Sequence, residues 1–230
     1  MIDQRPVELG PVPVPPMVRS LLIFGGTFDP PHRGHLELPR LARDRLGLDW
    51  LVYMPAKRSP FKSNAPEASD AQRVEMLQAG LAGAERSSIA TIELERDPSQ
   101  PSYTIDSLRQ IQHIVGPDVE LRLLIGEDQM RQFHKWKDAS EILELAEPAV
   151  MLRSDDPSGR AALLESLRGC WSEPQCLQWG ARIVELPLID ASASRVRQLL
   201  GQGGTADPEL EGMVPQSVLA IIDRDGLYGR

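Results

Sequence analysis

The 230-residue sequence predicts an α/β fold of the doubly wound type, a mostly parallel sheet flanked by helices with a small C-terminal helical region. Three observations carry that expectation. Short apolar runs alternate with segments of helical period along nearly the whole chain, the first apolar run passes straight into a glycine pair and a helix, and no internal repeat is visible. A chain of this length buries about 70 to 75% of its unfolded surface, enough for one sizeable core without disulfide or metal staples.

Leu21 to Phe24 reads as a short buried strand, Arg33 to Leu46 as a helix and Trp50 to Met54 as a second strand, which is a βαβ opening. A loop rich in Pro, Lys and Ser spans Pro55 to Ser69, and a helix begins near Asp70 with Val74, Leu77 and Leu81 on one face. Ile89 to Leu94 is strand-like, Thr104 to Val115 helical and Val119 to Ile125 strand-like again, and two short helices fill Asp128 to Leu145. Ala149 to Leu152 and Arg182 to Leu186 are further strands. Between them lie a helix at Arg160 to Leu167 and a connection containing Trp and Cys but no clear period. A Ser-rich turn enters a helix at Ser194 to Leu200, a Gly/Asp/Pro loop follows, and a closing helix from Gln216 to about Asp225 stops at Gly226. Residues 1–18, punctuated by prolines and lacking a period of 2 or 3.6, are expected to form a flexible arm. The domain proper is expected over 19–230, with its C-terminal helical part at about 191–230.

Composition excludes several functions. The net charge of −8 argues against a general nucleic-acid clamp, which needs surplus cations to displace counterions. The longest stretch free of Asp, Glu, Lys and Arg is the eleven residues Gly212 to Ile222, too short to span a membrane. No basic start followed by an apolar run marks an export signal, so a cytoplasmic protein is expected. Two cysteines, Cys170 and Cys176, make neither a disulfide framework nor a zinc ribbon. The oligomeric state stays open, a homo-oligomer included.

The chemistry gathers in the turn Gly25-Gly26-Thr27-Phe28-Asp29-Pro30-Pro31-His32-Arg33-Gly34-His35-Leu36. Glycines at a strand end let backbone approach a ligand, and the helix that follows presents unpaired amides and its positive dipole end, a place suited to an anion. His32 and His35, three residues apart in the first helical turn, share a face that Gly34 leaves uncrowded, so both imidazoles can hold one polyphosphate. On spacing alone the same residues also fit a tight connection, a metal pair or surface histidines. The turn is not GxGxxG, Walker A or HExxH.

The sequence GGTFDPPHRGHL resembles the signature of the HxGH nucleotidyltransferase superfamily, and its TFDPPH form is similar to the bacterial nicotinate mononucleotide adenylyltransferases. Further blocks match in order: Met54 to Lys62, Arg73 to Leu77, Ser102 to Leu108, Leu124 to Gln129 with Phe133 to Trp136, Ser192 to Arg197, and Val214-Pro215 through Tyr228. The resemblance covers about residues 19 to 228. It departs at Ala139, where many members carry a second tryptophan, and at Ala191 and Ser194, which replace the commoner Ile and Thr.

The resemblance implies a Rossmann-like nucleotidyltransferase fold and transfer of adenylyl from ATP to nicotinate mononucleotide, with Mg²⁺ carried in on the ATP and no dedicated protein metal site. His32, His35 and Arg197 are then the catalytic cations, acting as electrostatic clamps rather than proton shuttles. ATP falls to Gly25, Gly26, Thr27, Phe28, Gly34, Gly126, Asp128, Ser192 and Ser194, with Asp128 addressing the ribose. The mononucleotide falls to Lys62 at its phosphate, with Arg58 in the same loop, and to Tyr103, Thr104, Trp136 and Lys137 around the nicotinate. The nucleophile, a phosphate monoester with a second pKa of about 6, needs no general base at neutral pH, so catalysis reduces to alignment and charge neutralisation. Other readings are a sister HxGH enzyme acting on nicotinamide mononucleotide or phosphopantetheine, and a nucleotide-binding module without turnover.

Overall fold

A computed structural model describes residues 6–57, 65–97, 101–153, 158–168 and 170–229. Seven strands, β1 (Glu8–Gly10), β2 (Ser20–Gly26), β3 (Trp50–Pro55), β4 (Ser87–Ala90), β5 (Glu120–Gly126), β6 (Glu147–Arg153) and β7 (Ile183–Leu186), form one sheet in the order β1-β4-β3-β2-β5-β6-β7. Every pairing is parallel. The crossovers are α1 (Arg33–Leu46), α2 (Asp70–Gly80), α3 (Thr104–Val115), α4 (Glu127–Gln132), α5 (Ala139–Leu145), α6 (Gly159–Glu165) and α7 (Glu173–Ala181), and the chain closes with α8 (Ala193–Gly203), α9 (Leu210–Met213) and α10 (Gln216–Asp225). The predicted doubly wound α/β class therefore holds.

The central strands are apolar on both faces, as a parallel sheet covered by helices requires. Leu21, Ile23, Val52, Leu123 and Val150 point into one core with Ile105, Leu108 and Ile111 of α3, while Leu22, Phe24, Leu51, Tyr53 and Leu124 pack under Leu36, Leu38 and Ala42 of α1. A third apolar cluster joins Met76 of α2 to Val196, Leu199 and Leu200 of α8 and to Val218, Leu219 and Ile222 of α10. That cluster fastens the C-terminal helices beside the sheet.

Two expectations need correction, and one open connection is filled. The proline-rich arm is not loose over the residues described: Glu8–Gly10 adds a parallel edge strand to β4, Thr91 N donates to Gly10 O at 2.8 Å, and Val7, Val12 and Val18 are buried. Proline forbids a helix here but not an edge strand, whose outer donors need no partner. The strand expected at Ile89 to Leu94 spans Ser87–Ala90 and then turns, so Ile92 and Glu93 are buried by a turn rather than by pairing. The connection without a period contains α7, which Ser172 and Gln175 open with a capping box and whose Trp179 is fully buried.

The sheet order reverses at the β2–β5 neighbours, where the chain moves out to β3 on one side and β5 on the other. Ligands of such sheets bind at the strands' carboxyl ends at this switch point. The register pairs Phe24 with Leu124, so Gly26 and Gly126, two residues on, end their strands side by side.

Candidate active site

At the end of β2 the chain must leave the sheet and enter α1 within a few residues, and the turn does so on aromatic packing. Phe28 has a left-handed φ of 52°, which is unfavourable for a bulky side chain. Its ring is buried edge-on to Phe24, Tyr53 and His35, with centroids 5.8, 6.2 and 5.3 Å away. Burying a Phe ring contributes about 1.5 to 3 kcal/mol and each aromatic contact about 0.5 to 1.5 more, enough to offset the roughly 1 to 3 kcal/mol of such backbone strain. The folded-back ring also explains Gly26, since a Cβ there would lie 2.8 Å from Phe28 Cε1 and Cζ. The Phe28 ring is therefore part of the core rather than the surface of the turn.

His32 is the N-cap of α1, extended at φ −136° and ψ 170°, rather than a member of its first turn. Its carbonyl still accepts from His35 N at 2.8 Å, and the two imidazoles stack with centroids 3.7 Å apart and planes at 27°. Gly34 makes room for this stack, because a Cβ there would stand 3.1 Å from His32 Cε1. The HxGH spacing thus has a steric meaning. Arg197, in the second turn of α8, reaches back 168 residues to donate from Nη1 to Asp29 O at 2.6 Å, while its Nε pairs with Glu67 at 3.2 Å. Ser192 caps α8 by accepting from Arg195 N at 3.2 Å, and both Ser192 and Ser194 are exposed beside that entry.

The sequence reading missed the residues that hold this turn. Asp29 is buried and accepts from Glu67 N at 2.9 Å, Ala68 N at 3.1 Å and Tyr228 Oη at 2.7 Å, joining the turn to the segment before α2 and to the C-terminal tail. Burial and the bond to Asp29 push the Tyr228 hydroxyl well above the usual phenol range. Arg73 is fully buried and donates to Thr27 O at 2.7 Å and to Asp70 at 2.6 Å. All three lie in matching sequence blocks, but a buried acid or guanidinium acting on backbone has no spacing of its own to betray it.

Asp70 also accepts from Lys57. Burial alone would raise its carboxyl, but the hydrogen bonds and charges of Lys57 and Arg73 outweigh that and hold it below its ordinary 3.8. A depressed folded value means that the stabilisation is complete at neutral pH and fades as acid titrates through the lowered value. Urea melts of wild type and Asp70→Asn should differ at neutral pH, and the gap should close as acid titrates the carboxyl through its lowered value. A gap unchanged by acid would show that charge is not what Asp70 contributes.

At the carboxyl end of β5, Gly126 is the N-cap of α4 and Asp128 sits in its first turn, exposed and 3.2 Å from Arg131. Beyond α4, Trp136 is half-buried and stacked on Phe133 at 5.0 Å, and Lys137 Nζ lies 4.7 Å over the Tyr103 ring and 3.1 Å from Asp106. Lys137, next to Trp136 in the chain, is thereby brought against Tyr103 and Asp106 at the start of α3, whose N-cap Tyr103 makes no side-chain cap bond. Arg58 and Lys62 lie outside the described residues, as does Gly169. Among the described residues no group of three or more His, Cys, Asp or Glu could hold a metal ion, and no helix is long and apolar enough to cross a membrane.

A family model described as cytidylyltransferase-like matches residues 23–199, from β2 through α8. Proteins from Chromobacterium violaceum and Chlorobaculum parvum, both named "Probable nicotinate-nucleotide adenylyltransferase", are 35% and 38% identical over 214 and 213 residues, in each case 90% of this chain and 97% of theirs. A relative of the same name from Gloeobacter violaceus is 34% identical over 92% of this chain and 97% of its own. The fold is shared with Plasmodium falciparum nicotinic acid mononucleotide adenylyltransferase complexed with NaAD, at a TM-score of 0.64 and 15% identity over 91% of this chain and 97% of that one. The chain belongs to the cytidylyltransferase-like family of nucleotidyltransferases and, within it, groups with the nicotinate-nucleotide adenylyltransferases.

Proposed function

We propose that the chain transfers the adenylyl group of ATP to nicotinate mononucleotide, giving nicotinate adenine dinucleotide and pyrophosphate. The observation that carries this reading is the pair of imidazoles stacked 3.7 Å apart at the open end of α1, on a turn to which Arg197 is hydrogen-bonded. The bacterial relatives bear the name of that activity.

In this reading the triphosphate lies along the amides of Gly25 to Phe28 and the N-terminus of α1, where helix dipole and unpaired amides favour negative charge. His32 and His35 grip its oxygens, and Arg197, exchanging Glu67 for phosphate, stabilises the charge that gathers on the leaving pyrophosphate. Gly126, Asp128, Ser192 and Ser194 border the nucleoside and phosphate ends. An oxygen of the mononucleotide's phosphate attacks the α-phosphorus in line as the bond to pyrophosphate breaks, and no proton has to move. On the acceptor side Trp136 stacks with the pyridine ring, Lys62 meets the mononucleotide phosphate, and backbone amides of Thr104 and Lys137 receive the nicotinate carboxylate beside Tyr103. The donors at the turn are imidazole, amide and guanidinium, a set suited to phosphate oxygens, so Mg²⁺ fits here as an ion carried by the triphosphate, where it would offset phosphate charge.

A pyrophosphate-release assay with ATP and a panel of acceptors tests the reading. Nicotinate mononucleotide should give a kcat/KM well above nicotinamide mononucleotide and 4′-phosphopantetheine, because donor-only amides leave part of a carboxamide's polarity unmatched. The reverse ranking would move the chain to a sister activity, and binding of ATP without release from any acceptor would leave a nucleotide-binding module.

A further inference from the structure

Just beyond β4 the chain makes a tight turn, in which Leu94 N donates to Thr91 O at 2.8 Å and Arg96 N to Glu93 O at 3.3 Å. That turn carries Glu93, only 4% exposed and far in sequence from the phosphate-binding residues. A carboxyl taken out of water must be hydrogen-bonded to be tolerated. Its hydrogen-bond partner comes from the next element: Ser107 Oγ of α3 donates to Glu93 Oε1 at 2.5 Å. Burial raises the Glu93 carboxyl from its ordinary value, opposed by the Ser107 hydrogen bond and the charge of Arg96.

Ser102 and Ser107 bracket Tyr103 and Thr104, the residues that open α3 without a side-chain cap. Ser107 Oγ also lies 3.4 Å from Tyr103 O, so one hydroxyl bridges the buried acid and the backbone of the N-cap. An uncapped helix start is otherwise free to fray or tighten into a 3₁₀ turn, and either change would turn its amides. We propose that Glu93 is a positioning residue for the mononucleotide: its buried carboxyl, through Ser107, pins the first turn of α3 to the turn after β4 and so fixes the direction of the Thr104 amide. The proposal rests on the reading that this amide receives the nicotinate carboxylate. A rigid donor discriminates acid from amide, whereas a mobile backbone presents either polarity to the ligand.

Steady-state kinetics of the full chain, with ATP, nicotinate mononucleotide and nicotinamide mononucleotide varied in turn, test it. Glu93→Ala and Ser107→Ala should each raise KM for nicotinate mononucleotide on the order of tenfold and erode the acid-over-amide preference, with KM for ATP changed less than about twofold. Glu93→Gln, whose amide oxygen still accepts from Ser107, should recover most of the loss. Should Glu93→Ala not fold, Ser107→Ala and Glu93→Gln carry the test. An equal rise in both KM values, a normal mononucleotide KM in folded Ser107→Ala, or no recovery with Gln would overturn the proposal. If wild type itself prefers the nicotinamide substrate, the acceptor assignment fails and the proposal falls with it. If wild type prefers the acid while the variants are unselective in their effects, the acceptor assignment stands and only the role of Glu93 is lost.

Discussion

Alanine at His32 or at His35 is expected to lower turnover by roughly a hundredfold to a thousandfold while the protein stays folded. The reasoning starts from what the two rings do apart from chemistry. His32 is 3% exposed and its ring overlies Gly34, while His35 stands edge-on to Phe28 at 5.3 Å, so each removal opens a small space at the rim of the core. Such a gap costs about 1 to 2 kcal/mol, tolerable for a domain of this size. The loss in the transition state is larger, because a preorganised donor aimed at phosphate oxygens is worth roughly 2.7 to 4 kcal/mol and water entering the gap cannot reproduce its fixed direction. Since the rings stack at 3.7 Å and, in the proposed reading, act on one phosphate chain, the double variant should cost much less than the product of the single losses. Stopped assays of pyrophosphate release beside thermal melts decide the matter. Near wild-type turnover in both single variants would remove the imidazole clamp from catalysis.

Much of this architecture was legible because local and global preferences agree. The helices at 33–46, 104–115 and 216–225 follow the apolar period of their sequences, although Pro39 lies inside the first. That proline is carried because α1 is held from outside: the buried Tyr53 hydroxyl donates to Leu36 O at 2.9 Å, and Leu38 and Ala42 are fully enclosed. The illegible parts share a different cause. Glu8–Gly10 becomes a strand only because β4 supplies an edge, and nothing within three residues can announce a partner eighty residues away. The site follows the same division. His32, Gly34 and His35 act on one another at close range and are visible as a motif, whereas Asp29, Arg73, Tyr228 and Glu93 act through contacts that exist only once the sheet is wound. Phe28 illustrates the limit from the other side: its place in the motif carries no sign that its ring is buried at a left-handed φ of 52°.

The second large effect is expected at Asp29, where alanine should lower stability by about 3 kcal/mol, a Tm decrease on the order of 10 °C, and turnover with it. Three donors converge on this buried carboxylate, Glu67 N, Ala68 N and Tyr228 Oη, and alanine satisfies none of them. Each buried donor left without an acceptor costs about 1 to 3 kcal/mol, partly relieved where water can enter. The catalytic consequence comes through the backbone. The carbonyl of the same residue holds Arg197 at 2.6 Å, and Thr27 on its other side is held by Arg73 at 2.7 Å, so a turn that relaxes at Asp29 moves a cation and the phosphate amides together. Tyr228→Phe removes one bond and leaves the two backbone donors in place, so it should show a minor share of both losses. The three variants together separate structure from chemistry: Arg197→Ala should lose turnover with little change in Tm, Asp29→Ala should lose both, and Tyr228→Phe should fall between wild type and Asp29→Ala on each axis. Asp29→Ala melting and turning over like wild type would mean that the turn is held by the aromatic cluster around Phe28 alone, and the hydrogen-bonded link between the C-terminal tail and the catalytic turn would have no part in the enzyme.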